Sequence, residues 1–173
     1  SNLQWTIFRP STIFGPDDSF LNRFAGLLTI SPVLPLARPD AKFAPVYIGD
    51  VVDAFVRALD GREHAGEIYE LCGAETWALR DIVEWIAEQR GMRRWIIGLP
   101  DALGRLQGRV FDFVPGKPFS SDNFKSLLID STCSEDGFAR LDISPWPMSE
   151  KAPEWLGEGH QGRLGRFREG RRT

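Results

Sequence analysis

The sequence predicts an α/β fold of one principal domain, and three observations carry that expectation. Short apolar, β-rich segments alternate with segments of helical periodicity, the pattern of strands joined through helices. Beyond Leu99 the periodicity turns almost wholly helical, which suits an appended lid over the strand ends. Across the 173 residues, 42% are hydrophobic and 26% charged, an ordinary globular balance able to build a core.

Leu3–Phe8 alternates Leu3, Trp5 and Ile7 against Gln4, Thr6 and Phe8 and reads as a strand. Pro10, Gly15 and Pro16 stop it. A helix is expected from Ser19, whose hydroxyl can cap it, with Phe20, Phe24 and Leu27 or Leu28 at helical spacing. Ser31 to Pro45 contains four prolines and reads as an ordered, irregular excursion. Val46–Ile48 is the next strand. Asp50 then suits an N-cap, and Val51, Val52, Phe55, Ala58 and Leu59 form the expected buried stripe of a second helix. Glu67–Leu71 reads as a strand. A helix follows from Leu79 to Arg90, with Gly91 as its stop, and Trp95–Leu99 is another strand. After Pro100, the residues Leu103, Leu106, Val110 and Phe113 step by three and four along one helical face. Ser121 or Asp122 opens a further helix, and short elements are expected near Ser134–Ala139 and Glu150–Leu156. The expected domain spans residues 3–156. Residues 157–173 are Gly- and Arg-rich without apolar periodicity and read as a disordered tail.

Composition also excludes functions. A net charge of −3 gives the chain no general attraction for nucleic acid. No apolar run approaches the roughly 20 residues that span a bilayer, so membrane association is not expected. Cys72 and Cys133 are too few for a disulfide framework and show no metal-ligand spacing, which reads as a reducing, cytoplasmic setting. His64 and His160 lie in polar segments and read as ordinary surface residues. The tryptophans read as packing residues.

Arg9-Pro10-Ser11-Thr12-Ile13-Phe14-Gly15-Pro16 resembles the RPxxxYGP segment of extended short-chain dehydrogenases/reductases. Pro45 to Phe55 (PVYIGDVVDAF) resembles the strand-and-helix segment that follows in that family, and Glu67–Gly73 resembles its seventh strand. The helix from Trp77 to Ile86, Leu99-Pro100-Asp101 and Ser121–Asp130 resemble an atypical branch of these NAD-dependent epimerase/dehydratase proteins, the branch containing the NAD(P)-binding accessory subunit of respiratory complex I. The resemblance implies the C-terminal portion of a Rossmann-type fold with a mostly helical lid on the substrate side. Neither a Gly-rich GxxGxxG turn in a usable context nor a YxxxK pair occurs; Tyr47 and Tyr69 both lack a lysine four residues on. In family order both hallmarks lie upstream of Leu3, so the chain reads as the back half of a longer one. By itself it is expected to be inactive and to hold no dinucleotide tightly.

The resemblance implies that Pro10, Ser11, Thr12 and Ile13 face NAD or NADP in the full-length parent. Arg9 admits two roles, bidentate binding of an anionic substrate or a structural ion pair. Phe14, where many relatives carry Tyr, together with Asn22 and Arg23, would border a substrate pocket; Asn22 and Arg23 equally suit a solvated helix face. Tyr47 is a further substrate-side candidate, and no catalytic residue or metal ligand is assigned. The expected partners are the dinucleotide-binding part of the parent chain, a small-molecule substrate, and a second copy joined through the strand at residues 3–8. A non-catalytic, nucleotide-binding structural or assembly protein is the alternative function.

Overall fold

The computed structural model describes residues 5–59, 62–111 and 121–157. The opening strand, β1 (Ile7–Pro10), begins four residues after the expected start at Leu3, which lies outside the described residues, and runs two residues beyond the expected end at Phe8. It pairs in parallel with β6 (Ile68–Leu71), placing Ile7 beside Ile68 and Pro10 beside Leu71. The chain continues through β2 (Ile13–Phe14), which pairs in parallel with β5 (Val46–Tyr47). Helix α1 (Leu21–Ile30) separates them. Its start is held by Asp18, whose Oδ1 accepts the Leu21 N–H at 2.6 Å; Ser19 does not cap it. Burial raises the pKa of Asp18, against the lowering effect of the N–H groups it accepts, beginning with that of Gly15.

The proline-rich excursion is more regular than its composition suggests. It contains β3 (Val33–Ala37) and β4 (Lys42–Phe43). Strand β3 pairs in parallel with β8 (Trp95–Leu99), and β4 pairs antiparallel with β7 (Trp77–Ala78). Pro35 sits within β3, which has no second strand neighbour among the described residues, so its missing N–H costs no ladder bond on that side. Helix α3 (Leu79–Gln89) buries Leu79, Ile82, Val83 and Ile86, and Gly91 ends it at a positive φ of 62°, the expected glycine stop.

Two predicted stripes point the wrong way. In α2 (Ile48–Leu59) only Asp50, Val51 and Ala54 are buried, while Val52, Phe55 and Leu59 are exposed. Asp50 lies inside the helix and is not its cap. In α4 (Asp101–Phe111) Leu103, Leu106 and Val110 are exposed and Gly104 and Gly108 are buried. A Cβ on Gly104 would lie 2.9 Å from both the Ala37 methyl and the Phe124 ring, so the glycine allows the helix to approach closely. The predicted fourth residue of this stripe, Phe113, lies outside the described residues, as do His160 and most of the tail.

Helix α5 (Ser121–Ser126) and the short α6 (Met148–Lys151) and α7 (Pro153–Leu156) complete the lid. One hydrophobic core joins α1, β3, α3, α5 and α7 through Phe14, Leu21, Leu28, Ile82, Phe124 and Trp155. A smaller one gathers Val46, Val51, Tyr69, Leu71, Phe138 and Leu141. His64 is not a loose surface residue: its Nδ1 lies 2.8 Å from the hydroxyl of buried Tyr69. No helix among the described residues is long and apolar enough to cross a membrane.

The cysteines also depart from expectation. Cys72 and Cys133, separated by 61 residues, form a disulfide. Cys72 immediately follows β6, and segment 131–141 returns alongside that strand, which brings together thiols the sequence spacing kept apart. The bond removes the basis for reading a reducing compartment from the cysteine count. Closing so long a loop constrains the unfolded chain, so a Cys72→Ser/Cys133→Ser variant should lose about 2–4 kcal/mol of unfolding free energy. Urea titrations with and without reductant check this, and the reduced parent should match the double variant.

Candidate functional site

A cavity of about 700 Å³ opens between α1, β3, α4 and α5, within the range of small-molecule sites. Helix α1 supplies one wall. Its core face is Leu21, Ala25 and Leu28, all fully or almost fully buried; a second stripe, Phe24 and Leu27 with Phe20 just before the helix, lines the cavity. The opposite wall comes from Leu34 and Leu36 on β3, with Phe43, Leu79 and Leu127 closing the interior. Ile30 and Val33 carry the apolar lining outward to the surface.

The predicted site residues divide around this space. Thr12, Ile13 and Arg23 line it. Arg23 has no hydrogen-bond or ion-pair partner among the described residues. Pro10 is exposed at the end of β1. Ser11 and Thr12 turn toward Ser131: the Ser11 hydroxyl donates to the Ser131 carbonyl at 2.6 Å, and both side chains reach the Ser131 Oγ. Phe14 is fully buried, with its ring centroid 5.8 Å from Tyr47 and 6.1 Å from Trp155, and is not among the cavity-lining residues. Tyr47 also packs on Trp155, and the Lys151 ammonium lies over its ring. Asn22 donates its side-chain amide to the Pro16 and Asp18 carbonyls, bracing the loop before α1. Arg9 is exposed and makes no direct ion pair among the described residues. The structure therefore brings together Thr12, Ile13 and Arg23, and leaves Arg9, Phe14, Asn22 and Tyr47 outside the cavity wall.

Sequence reasoning missed Gln107, Asn123 and Leu127, which complete the wall from α4 and α5 and the turn after it. A small signal existed: Gly104 and Gly108 mark the side of α4 that packs closely, leaving Gln107 beside it to meet β3. Its Nε2 donates to the Pro35 carbonyl at 3.2 Å. Among the described residues no cluster of three or more His, Cys, Asp or Glu side chains could hold a metal ion.

Comparison with known proteins sets this geometry in a family context. No family model matches the chain. It is 29% identical over 166 residues to NADH dehydrogenase (ubiquinone) 1 alpha subcomplex subunit 9, mitochondrial, of Arabidopsis thaliana, and 28% identical over 155 residues to the Rattus norvegicus protein of that name. Each match covers 87% of this chain and 41% of the relative. Among solved structures, the dTDP-glucose 4,6-dehydratase DesIV of Streptomyces venezuelae superposes with a TM-score of 0.61 at 18% identity, covering 97% of this chain and 45% of that one. The dTDP-glucose 4,6-dehydratase of Bacillus anthracis, solved with NAD, gives 0.59 at 14% identity over 87% of this chain and 43% of its own. The chain is similar in sequence to that subunit and in fold to these Rossmann-type dehydratases. Its α/β architecture is the Rossmann-type fold of that group, and it spans less than half the length of the curated relatives it matches.

One buried carboxylate stands three residues after Tyr47 without entering the cavity. Asp50 is 4% exposed, and its Oδ2 accepts the Trp146 backbone N–H at 2.8 Å. Burial raises its pKa, opposed by that hydrogen bond. A carboxyl that is harder to ionise when folded destabilises the protein as pH rises from the ordinary value of 3.8 through the raised one. Asp50→Asn keeps an acceptor for Trp146 without the charge, so the variant should gain stability relative to the parent over that rise. Asp50→Ala leaves the Trp146 N–H unpaired and should cost about 1–3 kcal/mol. Urea unfolding at pH 3.5 to 7 (roughly the window set by an ordinary and a raised Asp) measures both.

Proposed function

We propose that the chain is the substrate-binding C-terminal portion of an NAD(P)-dependent epimerase/dehydratase/reductase-like protein, inactive by itself. The carrying observation is that the RPSTIFGP loop leaves the C-terminal end of a parallel strand and places Thr12 and Ile13 on the wall of a ligand-sized cavity. Ligands of open α/β sheets bind beyond those strand ends. The loop backbone is fixed for that role: Ser11 donates its N–H to Leu71, and Val46 donates to the Thr12 carbonyl. NAD or NADP would be held mainly by the dinucleotide-binding part of the parent, with the cavity on the substrate side.

A second reading has its own support. The curated relatives are named as a subunit of a larger dehydrogenase assembly, which favours a non-catalytic, nucleotide-binding structural role. Titration of the full-length protein with NADH and NADPH tests the cofactor that both readings share. Saturable binding is expected, and none at about 1 mM (weaker than roughly −4 kcal/mol) would reject it. A YxxxK pair upstream and turnover with bound cofactor separate the enzyme from the structural protein.

The same reading gives β1 a strand neighbour in the parent. In the described sheet it pairs only with β6, leaving one edge open. The isolated 173-residue chain should therefore self-associate through the open edge of β1. Light scattering at high concentration checks this, and a monomer throughout would count against it.

A further inference from the structure

We propose that the cavity along α1 binds a single-chain anionic amphiphile, its head group at Arg23 and Ser19 and its chain along Phe20, Phe24 and Leu27. The inference rests on the reading of this cavity as the substrate site and names the chemical class of the substrate. Helix α1 is the first reason. A helix packed on one side normally carries one apolar stripe. This one carries two, and the second faces the cavity over its whole length, from Phe20 to Ile30, about 15 Å at the usual helical rise. Apolar walls of that extent favour an apolar occupant, at roughly 25 cal/mol for each Å² removed from water.

The polar groups of the lining are the second reason, because the protein already occupies almost all of them. Thr12 is bound to Ser131, and the Ser31 hydroxyl donates to the Val33 carbonyl at 2.6 Å. Gln107 donates to Pro35, Asp122 pairs with Lys125, and the Ser126 hydroxyl donates to the Asp122 carbonyl. Asn123 is also engaged. Arg23 and Ser19 remain without a partner among the described residues, and both lie at the N-terminal end of α1. A guanidinium without a carboxylate partner offers a planar, two-pronged site for a carboxylate or phosphate. The cavity thus has one polar, cationic end and a long apolar body. A sugar nucleotide would bring many hydroxyls and a diphosphate against walls with almost no free donors, and burying them unpaired is costly. An amphiphile matches both ends.

Isothermal titration calorimetry of the 173-residue chain with dodecanoate, below its micellar concentration, tests the proposal. Dodecanoate should bind once per chain with a negative heat-capacity change, the mark of apolar burial. Arg23→Glu, an exposed position, should weaken it about tenfold or more, the loss expected for a charge-assisted pair. Leu27→Trp, which fills the cavity, should abolish binding, with an unchanged thermal midpoint showing that the variant is folded. Dodecylammonium should bind at least about tenfold more weakly than dodecanoate. The proposal is overturned if dodecanoate shows no saturable binding, if dodecylammonium binds equally well, or if Arg23→Glu has no effect. It is also overturned if UDP-glucose binds in its place and is lost in Leu27→Trp. Cofactor titration of the full-length protein is a separate readout: dodecanoate failing while NADH binds removes only the substrate class.

Discussion

Ser131 is the point on which the described fold is fastened. Its N–H donates to the Lys42 carbonyl at 2.8 Å, its carbonyl accepts the Ala44 N–H at 2.9 Å and the Ser11 hydroxyl, and its own hydroxyl meets Ser11 and Thr12. One residue therefore joins the loop after β1, the strand before β5 and the segment entering the lid. Each of these stretches is short, and β2, β4, β5 and β7 have two residues apiece. Ladders so brief cannot hold register unaided. The small side chain of serine lets three backbones converge there while satisfying their polar groups, which buried structure requires. The same convergence explains why the hydroxyls of Ser11 and Thr12 face inward to Ser131.

The cavity follows from two choices of side chain on opposite sides. On α4, glycine at position 104 lets the helix approach Ala37 and Phe124 closely, and Gly108 is buried on the same helix. On α1, Phe20, Phe24 and Leu27 stand where a solvated helix would carry polar residues, so the space beside them has apolar walls. Close packing on one side and large rings on the other leave a volume bounded by rigid elements. Its shape is set by the helices, and the one cation among its described lining residues, Arg23, sits exposed in the first turn of α1.

This arrangement was only partly legible in the sequence. Helix α3, its glycine stop and strand β8 follow from strong local patterns, and the structure reproduces them within a residue. The stripes of α2 and α4 show apolar spacing that local pattern alone could not orient, because Val52, Phe55, Leu103 and Leu106 satisfy the same rule whether or not a partner covers them. Strand β3 was hidden by Pro32, Pro35 and Pro39: proline argues against a central strand but not against an edge. At the site, Arg23 could be named from its place after the RPSTIFGP loop, while Gln107 on α4 and Leu127 just after α5 could not, since they arrive from far downstream in the chain. The disulfide was missed for the same reason. Long-range encounters are a property of topology, and spacing does not encode them.

The returning segment shows how the lid is held to the sheet by charge. Glu70 accepts the Ser134 N–H at 2.7 Å and its hydroxyl at 2.9 Å; Glu75 accepts the Ser149 hydroxyl at 2.7 Å and its N–H at 3.1 Å; Asp50 accepts Trp146. Glu70 belongs to β6, Asp50 to α2 and Glu75 to the connection between β6 and β7, and each N–H belongs to the segment beyond Ser131. A carboxylate is a stronger acceptor than a carbonyl, so three such anchors can position a segment whose own helices are only four residues long. They do not respond alike to acid. The Ser134 hydrogen bonds hold the Glu70 pKa below its ordinary 4.5, so its contribution is present above that value and is lost as pH falls through the lowered one. Asp50, raised by burial, works in the opposite sense. The exposed anchor thus draws its strength from being charged, and the buried one from being an acceptor, which is why the neutral amide of asparagine suits position 50 and would not replace Glu70.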